Sequence, residues 1–174
     1  MSFVSLNLTI LHININGFFS HRSELEARLC LFPALPLLIL FNETKLDQSC
    51  PVPCLSGYTL IDRRDRHANG GGVLMFAMDR FACLFSPLPC STGAEILWTL
   101  FHSQCGPILI ACWHRPPHYG EVATINSFIA EWSRHSSLAI GTVLVGDLNL
   151  HHVQWLRFSR IASPEGIAMH NWCS

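Results

Sequence analysis

The run "PLLILFNE", residues 36–43, limits the fold more than any other stretch of the chain. Its apolar residues between Pro36 and Asn42 are too few for an ordinary helix and too uniformly aliphatic for a strand with one wet face. The segment reads as a buried strand. A second run, "TVLVGDLNL" at 142–150, behaves the same way and stops on Asp147 and Asn149.

The rest of the chain supplies the layers that such strands need. "FVSLNLTILHINI" alternates and is rich in β-branched residues, which predicts a strand ending at Asn14–Gly17. A helix follows, with Ser23 and Glu26 spaced as a capping box, Leu25 and Leu29 on one face, and Pro33 and Pro36 ending it. "GYTLIDRRD" and "GGGVLMFAM" read as two strands joined by an Arg-rich loop that ends in Gly70–Gly72. "EILWTLFHSQCGPILIACWHRPP" reads as a hairpin turning at "SQCGP". Val122, Ile125, Phe128, Ile129 and Trp132 recur at helical spacing, and a short helix is expected after Pro164. Many strands with few helices between them point to an α+β domain, two sheets face to face with helices outside.

With 174 residues, 49% of them hydrophobic and 13% charged, the chain is expected to form a single folded domain over 1–174. The apolar run from Leu29 to Phe41 is shorter than the roughly 20 residues a membrane span needs and holds two prolines, so no membrane partner is expected. The N-terminus lacks a basic start and a small-residue cleavage site, which favours an intracellular location. Cys30, Cys83 and Cys112 lie in apolar segments and read as reduced core thiols. Cys50 and Cys54 have no second Cys/His pair at zinc spacing.

The formal net charge of −1 announces no nucleic-acid partner. The basic residues are nonetheless ten Arg to one Lys, and Arg63, Arg64 and Arg66 form one cluster. Planar guanidinium groups suit two-point phosphate contacts. A solvated loop partly neutralised by Asp62 and Asp65 accounts for the cluster equally well.

Polar residues gather at strand ends: Asn14, Asn16, Glu43, His114, Asp147 and Asn149. Asn, Asp and Gly end many strands as turn formers. Turn chemistry does not explain why four separate strands each deliver a carboxylate, amide or imidazole, a set with metal-ligand and acid/base capacity.

Five short motifs, "NING" at 14–17, "NET" at 42–44, "GGGV" at 70–73, "RPP" at 115–117 and "GDLNLHHVQW" at 146–155, occur in the order of a known family. In these the chain resembles the apurinic/apyrimidinic-type endonuclease domains of non-LTR (LINE-type) retrotransposons, within the endonuclease/exonuclease/phosphatase superfamily. The resemblance implies a DNase I-like, four-layer α/β/β/α sandwich with the active site where those strand ends converge. It implies Glu43 as principal ligand of Mg²⁺ (or Mn²⁺), supported by Asn14. Asp147 would orient or deprotonate the attacking water, and Asn149 would hydrogen-bond the phosphate from the same strand face as Asp147. DNA would be the substrate, a reverse transcriptase domain a companion in the full element, and the location nuclear. His114 stands where the family commonly has a phosphate-contacting Tyr. Arg63, Arg64, Arg66, Arg115, His151 and His152 are candidate nucleic-acid contacts, with Trp155 a packing anchor.

No "SDH" motif, which carries the superfamily's catalytic His, occurs in the sequence. The resemblance is therefore to a domain without its closing C-terminal strands, with sheet edges left uncovered. Three readings stay open. One is a metal-dependent DNA-nicking enzyme; another is a superfamily phosphoesterase acting on a lipid or inositol phosphate; the last is a non-catalytic remnant that at most binds nucleic acid.

Overall fold

The computed structural model describes residues 7–174, so the start of the first expected strand, residues 3–6, lies outside the described residues. The elements run β1 (Ile10–Asn14), α1 (Phe18–Leu29), β2 (Leu38–Asn42), β3 (Tyr58–Arg64), β4 (Val73–Met78), β5 (Phe85–Leu88), β6 (Glu95–Ser103), β7 (Gly106–His114), α2 (Val122–His135), β8 (Gly141–Asp147) and α3 (Pro164–Cys173). They form two four-stranded sheets, ordered β1-β2-β4-β3 and β5-β6-β7-β8.

Alternation along β2 sets the layering. Ile39 and Phe41 face α1, where they pack with Phe18, Leu25, Leu29, Leu74 and Phe76. Leu38 and Leu40 face the second sheet and meet Val73, Met75, Leu97, Ile110 and Cys112. Both faces of the strand are thus dry, and Leu38 through Phe41 have no exposed surface. Each such side chain contributes about 1.5–3 kcal/mol on burial.

The outer face of the second sheet (Ile96, Trp98, Leu109, Trp113) packs against Ile125 and Phe128 of α2 and Met169 of α3. Trp113 stacks on Phe128 with ring centroids 4.7 Å apart. The product is an α/β/β/α sandwich, the DNase I-like arrangement expected. No helix among the described residues is long and apolar enough to cross a membrane.

Each sheet contains one parallel pair. β1 runs beside β2, joined by α1, and β7 runs beside β8, joined by α2. β1 and β8 are the last strands of their sheets and touch across the sandwich. Their apolar residues Leu11, Ile13, Val143 and Leu144 are half-buried, whereas those of β2 are fully buried.

Several local expectations need correction. Helix α1 starts at Phe18 after Gly17, not at a Ser23 cap. Glu26 accepts hydrogen bonds from the backbone and hydroxyl of Ser56, so tertiary packing uses the carboxylate that a capping box would have used. Cys30 and Cys83 are exposed, Cys30 at the turn that ends α1 and Cys83 in a short 3-10 helix, Asp79–Leu84, with no buried residue, so only Cys112 of the three is in the core. Strand β5 was not expected. It carries Pro87 and pairs only with β6, an edge position that tolerates a missing N–H. Trp155 is 43% exposed and does not anchor the core. The short helix expected after Pro164 is α3, and Ser163 caps it, its Oγ accepting from the Gly166 N–H with Pro164 in the first turn.

Candidate active site

Parallel pairing brings strand ends to a common level. Asn14 of β1 is in register with Asn42 of β2, and His114 of β7 with Asp147 of β8. The two facing sheets are tied together at this level. Asn14 Nδ2 donates to Asp147 Oδ2 at 3.0 Å, and the Asp147 N–H donates to Asn42 Oδ1 at 2.9 Å. Asn42 is fully buried, and its Oδ1 also contacts His12 Nε2.

Glu43 follows β2 with φ of 56°. Its Oε1 lies 2.7 Å from His114 Nε2, and its Oε2 accepts from the Gly71 N–H at 2.9 Å. On the other side of the imidazole, His114 Nδ1 lies 2.8 Å from Glu95 Oε2, which also accepts the Gly72 N–H. Arg66 closes the row at 3.3 Å from Glu95 Oε1. The GGG motif has a physical reason here. Gly71 has φ of 73°, and a Cβ there would sit 2.6 Å from both Arg66 Cδ and Glu95 Oε2, so only glycine lets two backbone N–H groups face two carboxylates.

Burial opposes charge on the His114 imidazole, but its hydrogen bond to Glu95 and the charges of Glu95, Glu43 and Asp147 outweigh it and raise the pKa above 6.5. Burial likewise opposes ionisation of Glu95, yet the bonds from His114 and Gly72 and the nearby His114 and Arg66 charges hold its pKa below 4.5. Both partners thus favour the charged pair.

The consequence for stability without metal follows from linkage. His114's contribution is complete below 6.5 and is lost as pH rises through its elevated folded value. That of Glu95 is complete above 4.5 and is lost as pH falls through its depressed folded value. In EDTA, the gap in urea midpoint between the parent chain and His114→Gln should be widest between these values and shrink above 6.5. A gap that widens with alkaline pH contradicts the ion pair.

Among the described residues, four non-glycine residues have left-handed backbone, namely Asn16, Glu43, Lys45 and Asn149, and all lie in the loops that follow β1, β2 and β8. Such strain persists only where the surroundings over-determine it, and it concentrates at functional sites. It also corrects one expectation. β8 ends at Asp147, and Asn149 at φ of 46° does not continue the strand's alternation. Its Nδ2 donates instead to the Arg115 carbonyl at 2.8 Å.

The expected nucleic-acid contacts disperse. Arg115 is 1% exposed and donates inward to Thr124 Oγ1, the His118 carbonyl and the Asn149 carbonyl, so it cannot reach a nucleic acid. His152 is buried, stacked on His170 at 4.2 Å, because the chain turns inward after β8, while His151 is exposed. Arg63 is bound to Asp65 and the Asp47 carbonyl, and Arg64 to the Thr92 carbonyl. Only Arg66 of that cluster is exposed.

Sequence reasoning missed Glu95 and Asn42. Glu95 was within reach. The hairpin pairs Ser103 with Gly106, and counting outward from that two-residue turn places Glu95 opposite His114.

No family model matches the chain, and no curated protein matches it. Solved structures do. The endonuclease domain of TRAS1, a telomere-specific non-LTR retrotransposon, aligns with TM-score 0.69 at 12% identity over 95% of this chain and 68% of that one. A 3'-5' exonuclease from Neisseria meningitidis, NExo, aligns with TM-score 0.63 at 13% identity over 95% of this chain and 70% of that one. An AP endonuclease from Archaeoglobus fulgidus aligns with TM-score 0.56 at 15% identity over 83% and 58%. The chain therefore has the DNase I-like fold of endonuclease/exonuclease/phosphatase proteins. At these identities the likeness is one of fold.

Proposed function

We propose that the chain hydrolyses phosphodiester bonds in DNA, as a nicking enzyme of a LINE-type element acting in the nucleus beside a reverse transcriptase domain. The observation that carries this reading is the meeting of the Asn14–Asp147 pair and the Glu43–His114–Glu95 row at one edge of the sandwich. Two structural neighbours were solved with product DNA, the Neisseria 3' phosphatase NExo with a hairpin and D. rerio TDP2 with a single strand.

The donor set suits a hard divalent ion. Mg²⁺ takes oxygen ligands, typically one or two carboxylates with substrate phosphate and water, so the absence of a cluster of three ionisable ligands among the described residues does not argue against it. Glu43 would hold Mg²⁺ (or Mn²⁺) with Asn14 beside it. When bound, the ion would neutralise charge developing on the phosphate.

The chain's own groups have separate tasks. Asp147, held by the Asn14 amide and by the Asn42 contact to its own N–H, takes the proton of the attacking water. His114, whose charged form Glu95 favours, fixes the Glu43 carboxylate and in that form places positive charge beside the phosphate. Asn149 has one amide hydrogen on Arg115 and a second left for a phosphate oxygen. His151 is exposed and free to approach the DNA backbone, and the exposed Arg66, although paired with Glu95, presents its remaining N–H groups on the same side.

Incubation with supercoiled plasmid should give nicked circles with Mg²⁺ and none in EDTA. Nicking that is indifferent to EDTA contradicts the site. Turnover of an inositol phosphate without action on DNA would make the phosphoesterase reading correct, and salt-dependent DNA binding without cleavage would support the remnant.

A further inference from the structure

The loop that follows the GDLN motif does not resemble an ordinary solvated connection. Phe158 is 88% exposed, Val153 and Ile161 are more than half in solvent, and Trp155 is partly so. Arg157 and Arg160 lie between these residues, both exposed, and the Arg157 guanidinium sits 5.5 Å from the centre of the Phe158 ring. From Leu148 to Pro164 there is no acidic residue. The segment is nevertheless folded. The Leu156 N–H donates to the His152 carbonyl and the Ser159 N–H to the Leu156 carbonyl, giving two linked turns. Its base is pinned where the Ser163 N–H meets the His151 carbonyl and His152 stacks on His170.

Exposed rings cost hydration free energy unless something covers them, and the covering partner here must be anionic, since the only charges in the loop are the two arginines. A planar ring beside a guanidinium is what an unstacked nucleobase and its phosphates require. Phe158 is nine residues beyond Asn149, at most about 30 Å along the chain, which lies within one turn of a duplex. We infer that residues 153–161 form a binding surface for single-stranded or locally opened DNA, with a base stacked on Phe158 and flanking phosphates on Arg157 and Arg160. This rests on the reading of the chain as a DNA-acting protein, but does not require it to cleave.

The test is binding of a single-stranded oligodeoxynucleotide carrying 2-aminopurine, measured in EDTA so that no cleavage intervenes. Phe158→Ala should weaken binding about tenfold or more and relieve 2-aminopurine quenching, while Phe158→Trp retains both. Arg157→Gln with Arg160→Gln should reduce the salt dependence by about 1.4 in the log–log slope, about 0.7 for each phosphate on a single strand. Phe158 is a surface residue, so these variants should keep the parent's circular dichroism. Unchanged affinity in Phe158→Ala overturns the inference, and so does equally tight binding by Phe158→Leu, which is apolar but cannot stack. A change from dimer to monomer in light scattering with DNA affinity intact would assign the surface to a second copy instead. Plasmid nicking without single-strand affinity overturns this inference alone. Single-strand affinity without nicking overturns only the catalytic proposal.

Discussion

Arg115→Met should lower the unfolding free energy by about 3 kcal/mol or more, read as a fall in urea midpoint at constant slope. Few single changes in this chain should cost as much. The guanidinium is almost wholly buried and donates to Thr124 Oγ1, the His118 carbonyl and the Asn149 carbonyl. It also stands 3.6 Å from Glu165, itself 2% exposed at the start of α3. Methionine fills part of the volume but leaves those acceptors unpaired, and an unpaired buried acceptor bears its full desolvation cost. Glu165 keeps the Gly120 N–H, so Glu165→Gln should cost less than Arg115→Met. If the two cost the same, the ion pair rather than the carbonyl contacts dominates. Arg115→Met should also slow catalysis, because it removes the guanidinium that holds the Asn149 carbonyl, although the Arg115 main-chain carbonyl still accepts from the Asn149 amide.

Glu43→Gln should reduce Mg²⁺-dependent plasmid nicking at least about a hundredfold while leaving the fold intact. The amide is isosteric and can still accept from the Gly71 N–H, but it removes the charge that both the ion and His114 face. Loss of that charge should also lower the His114 pKa toward its ordinary value, since Glu43 is one of the groups raising it. Titration of the His114 ring by NMR separates this from unfolding. Nicking within a few fold of the parent would remove Glu43 from the proposed mechanism.

Much of the fold was legible because strand and helix periods record which residues share a face. The β6–β7 hairpin, the β3–β4 pair, α2 and the layered sandwich all follow from that local information. Depth is less legible. Nothing local distinguishes Arg115, which is buried, from Arg66, which is exposed, and "RRDR" reads as a cationic cluster until Asp65, the Asp47 carbonyl and the Thr92 carbonyl are seen to occupy two of its members. The α1 start was misread for a related reason, since Glu26 is a good capping partner in isolation and a better one for Ser56 in the folded chain.

By itself, the sequence determined that the aliphatic run of β2 would be buried on both faces and that strands would end at or beside Asn14, Glu43, His114 and Asp147. That follows because burial and turn chemistry act over a few residues. The equally aliphatic β8 is only half-buried because it is the last strand of its sheet. Tertiary structure alone decided which of those ends meet. Asn14 and Asp147 are 133 positions apart and touch because two parallel pairs, in two different sheets, end at one level. It also decided that His114 would lie between two carboxylates, one of them contributed by the neighbouring strand of its own hairpin. Contacts of this kind depend on register and sheet packing, which are properties of the whole chain.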